Sequence, residues 1–191
     1  MIEQKFNKGR VTFDRCVFAA PVRPLIAESL MDIHALAGSS LEVEIQGSEL
    51  HDNAGSAITA SASGTATIIL TIADTALQHL GTGGVTLKAL DAVHAALVMT
   101  RVQITAPAAP VVVDASASGT ATLCADLGAN AFTGGRPPIR LAAKGPQASL
   151  HVVTNATDAG VLANALAAAN GGAAAAIEAS PAKLVLVQSC R

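Results

Sequence analysis

An eight-residue sequence, ASASGTAT, occurs twice in the chain, at residues 60–67 and 115–122, and it constrains the fold more than any other feature. Around the first copy, from Ile58 to Thr67, small apolar residues alternate with serine and threonine. A period of two places the two sets on opposite faces of a β-strand, so residues 56–72 are predicted to form one strand. If the repeat arose by duplication, both copies should occupy equivalent strands in two superposable units; convergence on a small-residue strand is the alternative.

The composition predicts a hydrophobic core that is rich in alanine and poor in aromatic side chains. Apolar residues make up 51% of the 191 residues, but aromatic residues only 2%, with no tryptophan and no tyrosine. An alanine-rich core buries little area per residue, at about 25 cal/mol per Å². Such a chain is expected to gain stability from neighbouring subunits, which indicates an oligomer or a component of an assembly.

Short strand signals separated by glycine and proline turns are typical of an antiparallel β-sandwich. Besides the repeat region, strands are predicted at residues 11–19, 41–45, 85–90, 96–105, 139–142, 148–154 and 183–188. Pro107 and Pro110 favour extended backbone, so residues 106–110 are predicted to be a linker. The linker would join a sandwich at 11–105, preceded by an N-terminal arm at 1–10, to a small β-rich unit at 111–191.

One helix is predicted in the second unit, at residues 159–170. Thr157 or Asp158 would cap it, and Gly171 and Gly172 would end it. Residues 25–37 fit either a helix or a strand followed by a loop.

Several segments between residues 41 and 105 resemble the immunoglobulin-like N-terminal domain of phage baseplate upper proteins. The segments that carry the resemblance are LEVEI at 41–45 after Ala37-Gly38, ILTI at 69–72, DTAL at 74–77 with Gly81, TLKALD at 86–91, and the closing strand at 99–104. The aromatic residue that usually precedes the Asp-Leu strand is missing here. The resemblance implies an immunoglobulin-like sandwich and a structural role in a bacteriophage virion.

This role would be that of a non-catalytic tail or baseplate adaptor or appendage anchor, located in the virion. Its partners would be other virion proteins and copies of itself, with a trimer favoured. A capsid decoration protein is one alternative. A carbohydrate- or surface-binding module is another, from a different class, although four phenylalanines offer few platforms for sugars.

No catalytic, cofactor-binding or metal-binding residues are predicted, and the chain is not expected to be an enzyme. No GxSxG sequence occurs, and no GK[ST] follows the glycines at 81–84, which are interpreted as a turn. His51-Asp52-Asn53 is interpreted as an Asx turn or as a loop that binds a cation through Asp52. Glu42 and Glu44 are expected on a solvated strand face, and the repeated serines and threonines either face solvent or contact a neighbouring subunit.

Charge, apolar runs and cysteine spacing bear on nucleic-acid binding, membrane insertion and the state of the thiols. The net charge of −2 and the absence of a basic block argue against nucleic acid. No run of 18 apolar residues and no apolar signal segment occurs, so neither a membrane span nor a signal peptide is expected. Cys16, Cys124 and Cys190 lack ligand spacing and are interpreted as three free thiols, with one disulfide plus a free thiol as the alternative.

Overall fold

The computed structural model describes residues 8–19, 28–156 and 158–190 and consists mainly of short strands. The strands are β1 (Lys8–Asp14), β2 (Val17–Ala19), β3 (Met31–Ala35), β4 (Ser40–Gln46), β5 (Glu49–Asn53), β6 (Ser56–Ala62), β7 (Thr67–Ala73), β8 (Ala76–Leu80), β9 (Gly83–Ala89), β10 (His94–Thr100), β11 (Gln103–Thr105), β12 (Val113–Ser118), β13 (Thr122–Gly128), β14 (Ala131–Thr133), β15 (Ile139–Lys144), β16 (Ser149–Val153), β17 (Ala175–Glu178) and β18 (Leu184–Val187). A helix, α1 (Leu162–Ala169), follows a 3-10 turn at Ala159–Val161, and a second 3-10 turn spans Pro181–Lys183.

These strands wind into a parallel β-solenoid with three sheets. Sheet A contains β1, β4, β7, β10, β13, β16 and β18; sheet B contains β2, β5, β8, β11 and β14; sheet C contains β3, β6, β9, β12, β15 and β17. Each coil contributes one strand to each sheet in turn. Equivalent residues such as Val43, Leu70, Leu97 and Ala125 are paired in register, so the central coils repeat every 27 or 28 residues. The first coil is longer, with β1 and β4 offset by 32 residues, and so is the last, with β16 and β18 offset by 34.

The predicted antiparallel immunoglobulin-like sandwich is therefore wrong. Alternation identifies a strand and its two faces but does not state the direction of its neighbour. The short glycine and proline turns were predicted to join antiparallel neighbours, whereas each one turns the chain from one sheet of the solenoid to the next. Two parallel neighbours in one sheet are joined by the other two strands of the coil, which provide the long crossover that parallel pairing requires.

A ladder of left-handed residues makes the corner between sheets A and B. Arg15, Gly47, Asp74, Arg101 and Ala129 have φ between 50° and 58° and recur once per coil. Only one of the five is a glycine, the residue that adopts this conformation without steric cost. Glycine spacing in the sequence therefore conceals the coil repeat.

The two ASASGTAT copies occupy the same corner, two coils apart. Each copy ends a strand of sheet C, turns at Gly64 or Gly119, and begins a strand of sheet A. The predicted single strand at 56–72 is thus two strands, although the predicted apolar set, including Ile58, Ala60 and Ala66, is buried on both sides of the turn. A Cβ added at Gly64 would lie 2.7 Å from the Cβ of Ala37, because the turns of successive coils are stacked closely.

The strands on either side of residues 106–110 pair across that segment. β10 pairs with β13 and β9 pairs with β12, while Ala106 and Ala109 are buried. The sheets and the core continue through the segment that was predicted to be a linker. This segment forms a corner between sheets B and C.

Three further predictions concern the N-terminal arm, residues 25–37 and the C-terminal helix, and each lies partly outside the described residues. Residues 8–10 of the predicted arm belong to β1, and residues 1–7 lie outside the described part of the chain. Residues 31–35 form a strand rather than a helix, and residues 25–27 are likewise not described. The predicted C-terminal helix is present but shorter, because residues 159–161 form a 3-10 turn and α1 begins at Leu162. The predicted cap by Asp158 is wrong: the N-cap of α1 is Val161, which makes no side-chain capping hydrogen bond, and Asp158 instead accepts a hydrogen bond from the Gly160 N–H in the turn before it. Thr157 is not described.

The core consists of stacked rows of inward side chains. Large residues form the rows in the middle of the sheets, for example Ile45, Ile72 and Met99, and alanines form the row next to the C–A corner: Ala35, Ala62, Ala89, Ala117 and Ala143. The high alanine content therefore fills the narrow corner of the coil. In the last coil α1 takes the place of a sheet B strand, and its Leu162 and Leu166 enter the core.

Candidate interaction surface

The predicted polar cluster at residues 51–53 is divided between two environments. Asp52 accepts hydrogen bonds from Nδ1 of His51 at 2.7 Å and from Nδ1 of His79, one coil further on, at 3.0 Å. The hydrogen bonds from His51 and then His79 hold the pKa of Asp52 below its usual value. Asn53 is buried and donates to the carbonyl oxygens of Glu28 and Ser56.

A cation is therefore not needed to hold this cluster together. Both carboxylate oxygens of Asp52 already accept hydrogen bonds, and the described residues contain no group of three His, Cys, Asp or Glu arranged to hold a metal ion. The other imidazoles lie apart: His34 is hydrogen-bonded to Ser61, and His94 and His151 are on sheet A.

The glycines at 81–84 form a close backbone contact. A Cβ at Gly81 would lie 2.0 Å from the carbonyl oxygen of Ala54, and Gly83 and Gly84 are buried at the start of β9. This geometry is that of a packed corner. It leaves no open loop in which backbone N–H groups could surround a phosphate.

Glu42 and Glu44 form an ion-pair group with the first coil. Arg10 Nη2 lies 2.7 Å from Glu44 Oε2, and Arg10 Nε lies 3.9 Å from Glu42 Oε1. The hydrogen bond to Glu44 raises the pKa of the Arg10 guanidinium above its usual value. These exposed charges occupy the outer face of sheet A at its N-terminal end.

The outer face of sheet C is mainly polar, with Ala142 and Ala176 as exceptions, and several of its side chains are hydrogen-bonded to one another. Arg140 makes a two-pronged contact with Asp114, with Nε to Oδ1 at 2.9 Å, and Lys144 lies 3.7 Å from Glu178. Hydroxyls of the repeat region also have partners in the coil before, as in Thr59 with Ser29 at 2.6 Å. These side chains satisfy one another along the solenoid.

The outer face of sheet A changes character along the solenoid. Its first two strands present Arg10, Glu42 and Glu44, but from β7 onward two central rows of outward side chains are mainly apolar. Six of the ten positions in these rows are apolar, Ile69, Ala96, Val98, Val153, Val185 and Val187, and the other four are Thr71, Cys124, Asp126 and His151. The ends of the strands on either side of these rows are mostly polar, with Thr67, His94, Thr100, Thr122 and Ser149. Val185 is 42% exposed, and burial raises the pKa of the Asp126 carboxyl above its usual value.

A disulfide crosses this face. Cys124 in β13 is bonded to Cys190, with 5.5 Å between their Cα atoms, and Cys16 is a free thiol. The interpretation of three free thiols is wrong, and the alternative of one disulfide plus a free thiol is the one observed. A separation of 66 residues carries no pairing signal in the sequence, because the coils alone bring the two cysteines together.

A shallow groove of about 530 Å³ lies at the B–C corner. It is lined by Pro107, Ala109, Pro110, Gly134, Gly135 and Arg136. Arg136 is the one ionisable side chain in this lining. The groove therefore lacks the convergent acid, base and nucleophile groups that an active site requires.

Comparison of the chain with protein-family models, with curated proteins and with solved structures found no match. Within the described residues, no helix has the length and apolarity needed to cross a membrane.

The apolar outer face of sheet A was not anticipated from the sequence. The signal was present in TIILTIA at β7 and AALVM within β10, where apolar residues follow one another instead of alternating. A continuous apolar run is typical of a parallel strand that is covered on both faces. The strict alternation in the ASASGTAT copies instead indicated the serine and threonine positions as a candidate contact surface.

Proposed function

We propose that this protein is a non-catalytic structural subunit, a rigid solenoid that assembles with copies of itself through the outer face of sheet A. The observation that carries the proposal is the mainly apolar pair of central rows on this face from β7 to β18, bordered by polar side chains. Contiguous apolar surface rimmed by polar residues marks interaction sites on soluble proteins. Sheet C, whose outer side chains pair with one another, offers no comparable surface.

The size of the face fits a second copy. Seven strands about 4.8 Å apart and about 20 Å long give roughly 600 Å² per subunit for the whole outer face of sheet A, of which the five strands from β7 onward supply roughly 400 Å². Two complete faces would bury about 1,200 Å² in total, which exceeds the roughly 1,000 Å² expected of a specific interface, so the interface includes the charged strands β1 and β4 as well as the apolar rows.

The charges on the face favour an antiparallel, two-fold arrangement. If two copies stacked with their axes parallel, Glu42 and Glu44 of both would meet, and like charges would repel. The antiparallel arrangement centres on β10 and places β4 of one copy against β16 of the other. Thr71, whose Oγ1 is buried without a hydrogen-bond partner in the described part of the chain, then faces the half-buried Asp126.

The virion location, the tail or baseplate role and the capsid alternative remain predictions. The resemblance that implied them relied on an immunoglobulin-like fold, so the present proposal does not use it. The carbohydrate-binding alternative is weaker, because none of the described phenylalanines, Phe13, Phe18 and Phe132, is exposed.

Sedimentation velocity across a concentration series, with and without a reductant, tests the proposal. Val98→Lys places a charge on the outer face of sheet A, and Thr86→Lys places the same charge on sheet C at a matched half-buried, β-branched position. We expect a dimer whose Kd rises at least tenfold in Val98→Lys and stays unchanged in Thr86→Lys. A monomer at every concentration in both conditions would contradict the proposal, and a trimer would contradict the two-fold arrangement.

A further inference from the structure

We infer that residues 188–190, called the strap below, are a redox-controlled latch that covers part of the outer face of sheet A and limits self-association. The inference rests on the proposed function, because it assigns a regulation to the same face. It concerns the one covalent link between the end of the described chain and a distant coil, the disulfide between Cys124 and Cys190.

The path of the strap follows from the order of the strands. β18 ends at Val187, Cys190 is bonded to β13, and β16 lies between these two strands. Cys124 points outward, because its neighbours Leu123 and Ala125 are fully buried in the core. Three extended residues span about 10 Å, the distance across two strand spacings, so the strap must cross β16 on the outer face.

The covalent path identifies the strap, and burial does not distinguish the residues beneath it. Cys124 is 8% exposed, Ala96 in the same outward row is 6% exposed although the strap does not cross β10, and Val185 on the edge strand β18 is 42% exposed. Asp126, two residues after Cys124, is half-buried between Val98 and Val153 and has its pKa raised by burial. Gln188 and Ser189 are exposed above the sheet, and Cys190 is half-buried.

The strap lies where it would interfere with the antiparallel pair. In that arrangement β16 and β18 of one copy face β4 and β1 of the other, so a strap over β16 holds both ends of the interface apart. Loss of roughly a third of the face lowers the total buried area to about 800 Å², which is the size of a non-specific contact. Release of the strap restores the full face.

The chemistry of release is thiol–disulfide exchange with a dithiol reductant. One thiolate of the reductant attacks the more accessible Cys190 Sγ, the Cys124–Cys190 bond breaks, and Cys124 leaves as a thiolate that takes up a proton. The second thiol of the reductant then attacks the mixed disulfide and frees Cys190 as a thiol. The protein disulfide gains two electrons, and the dithiol is oxidised to its own disulfide.

The test uses a Cys16→Ser background, which removes the free thiol and with it intermolecular exchange. Oxidised protein, protein reduced with dithiothreitol, and the variant Cys190→Ser are compared by two readouts. Carboxypeptidase digestion followed by mass spectrometry reports release of the strap, and sedimentation velocity reports the Kd of self-association. Cys190→Ser removes the latch without a reductant, so reductant effects elsewhere are controlled, and a Cys124→Ser/Cys190→Ser variant controls for exchange at the Cys124 thiol that this substitution frees.

We expect carboxypeptidase to trim the reduced protein and Cys190→Ser at least tenfold faster than the oxidised protein, with a Kd at least tenfold lower. A C-terminus that stays equally resistant after reduction would overturn the inference. Faster trimming with a Kd within twofold of the oxidised value would overturn it as well. The proposed function fails on a separate result, equal Kd values for Val98→Lys and Thr86→Lys in the reduced state.

Discussion

The two ends of the solenoid are held by different kinds of interaction. In the first coil, β1 pairs with β4 but has no buried residue, and its side-chain contacts include the exposed Arg10–Glu44 ion pair and an edge-to-face pair of Phe13 and Phe18 with ring centres 5.5 Å apart. In the last coils, a helix enters the core, two asparagines are hydrogen-bonded inside it, and a disulfide joins β13 to the strap. A terminal coil packs against only one other coil, so the interactions within it determine how easily it unfolds locally.

This difference predicts which end opens first. Exposed ion pairs contribute about 0–1 kcal/mol, whereas buried hydrogen bonds and a disulfide contribute several kcal/mol together. We expect amides of β1 and β2 to exchange with deuterium at least a hundredfold faster than those of β13 and β16. Native-state hydrogen exchange of the oxidised protein measures this, and equal protection at both ends would contradict the comparison.

The largest effect of a single substitution is expected at the disulfide. Cys190→Ser opens a loop of 66 residues and should lower the free energy of unfolding by about 4 kcal/mol in the chain-entropy description. Cys16→Ser, at a half-buried free thiol in the first coil, should cost less than about 1 kcal/mol. Urea denaturation of both variants without reductant makes the comparison, and similar losses would mean that the disulfide does not stabilise the C-terminal end.

The buried asparagine pair comes next. Asn130 Nδ2 donates to Asn170 Oδ1 at 2.9 Å, and Asn170 Nδ2 donates to the carbonyl oxygens of Leu127 and Leu166. Asn170→Ala leaves these buried groups without their partners and should cost about 2 to 3 kcal/mol. The exposed Asn155 gives a matched control, and Asn155→Ala should change stability by less than about 0.5 kcal/mol. A loss below 1 kcal/mol for Asn170→Ala would show that water replaces the lost bonds.

Sequence reasoning recovered the strands and their buried faces better than their arrangement. The segments LEVEI and KLVLVQ contain strands close to where they were predicted, because alternation and β-branched residues report local backbone conformation. The parallel direction was not recoverable from them, since the 27-residue repeat is carried by left-handed corners at Arg15, Asp74 and Arg101, which are not glycines. The apolar run TIILTIA in β7 is visible in the sequence, but it indicates an apolar outer face of sheet A only once the parallel topology is known.

A smaller effect is expected in the first coil. Phe18 is half-buried on β2 and packs against Phe13, so Phe18→Ala should cost about 1 to 2 kcal/mol. Val17→Ala on the same strand alters a residue that is 65% exposed and should be nearly neutral. A double-mutant cycle with Phe13→Ala should give a coupling of about 1 kcal/mol. Additive losses would show that the ring pair makes no specific contribution to this end of the solenoid.

The smallest effects are expected from two aspartates whose pKa values shift in opposite directions. Arg101 holds the pKa of Asp74 below its usual value through a hydrogen bond, while burial raises the pKa of Asp126. A lowered pKa adds stability above the unfolded-state pKa that is lost as the pH falls through the folded-state pKa, and a raised pKa imposes a penalty at high pH that is relieved as the pH falls.

At pH 7, Asp74→Asn should therefore lower stability and Asp126→Asn should raise it, and both differences should shrink toward pH 3. Asparagine keeps the shape of each side chain, and it tolerates the left-handed backbone at Asp74, so the charge is the main change. Thermal unfolding of the two variants across pH 3–8 compares them directly. If Asp126→Asn lowered stability at pH 7, the carboxylate would have a favourable partner on the outer face of sheet A, and burial alone would no longer explain the raised pKa.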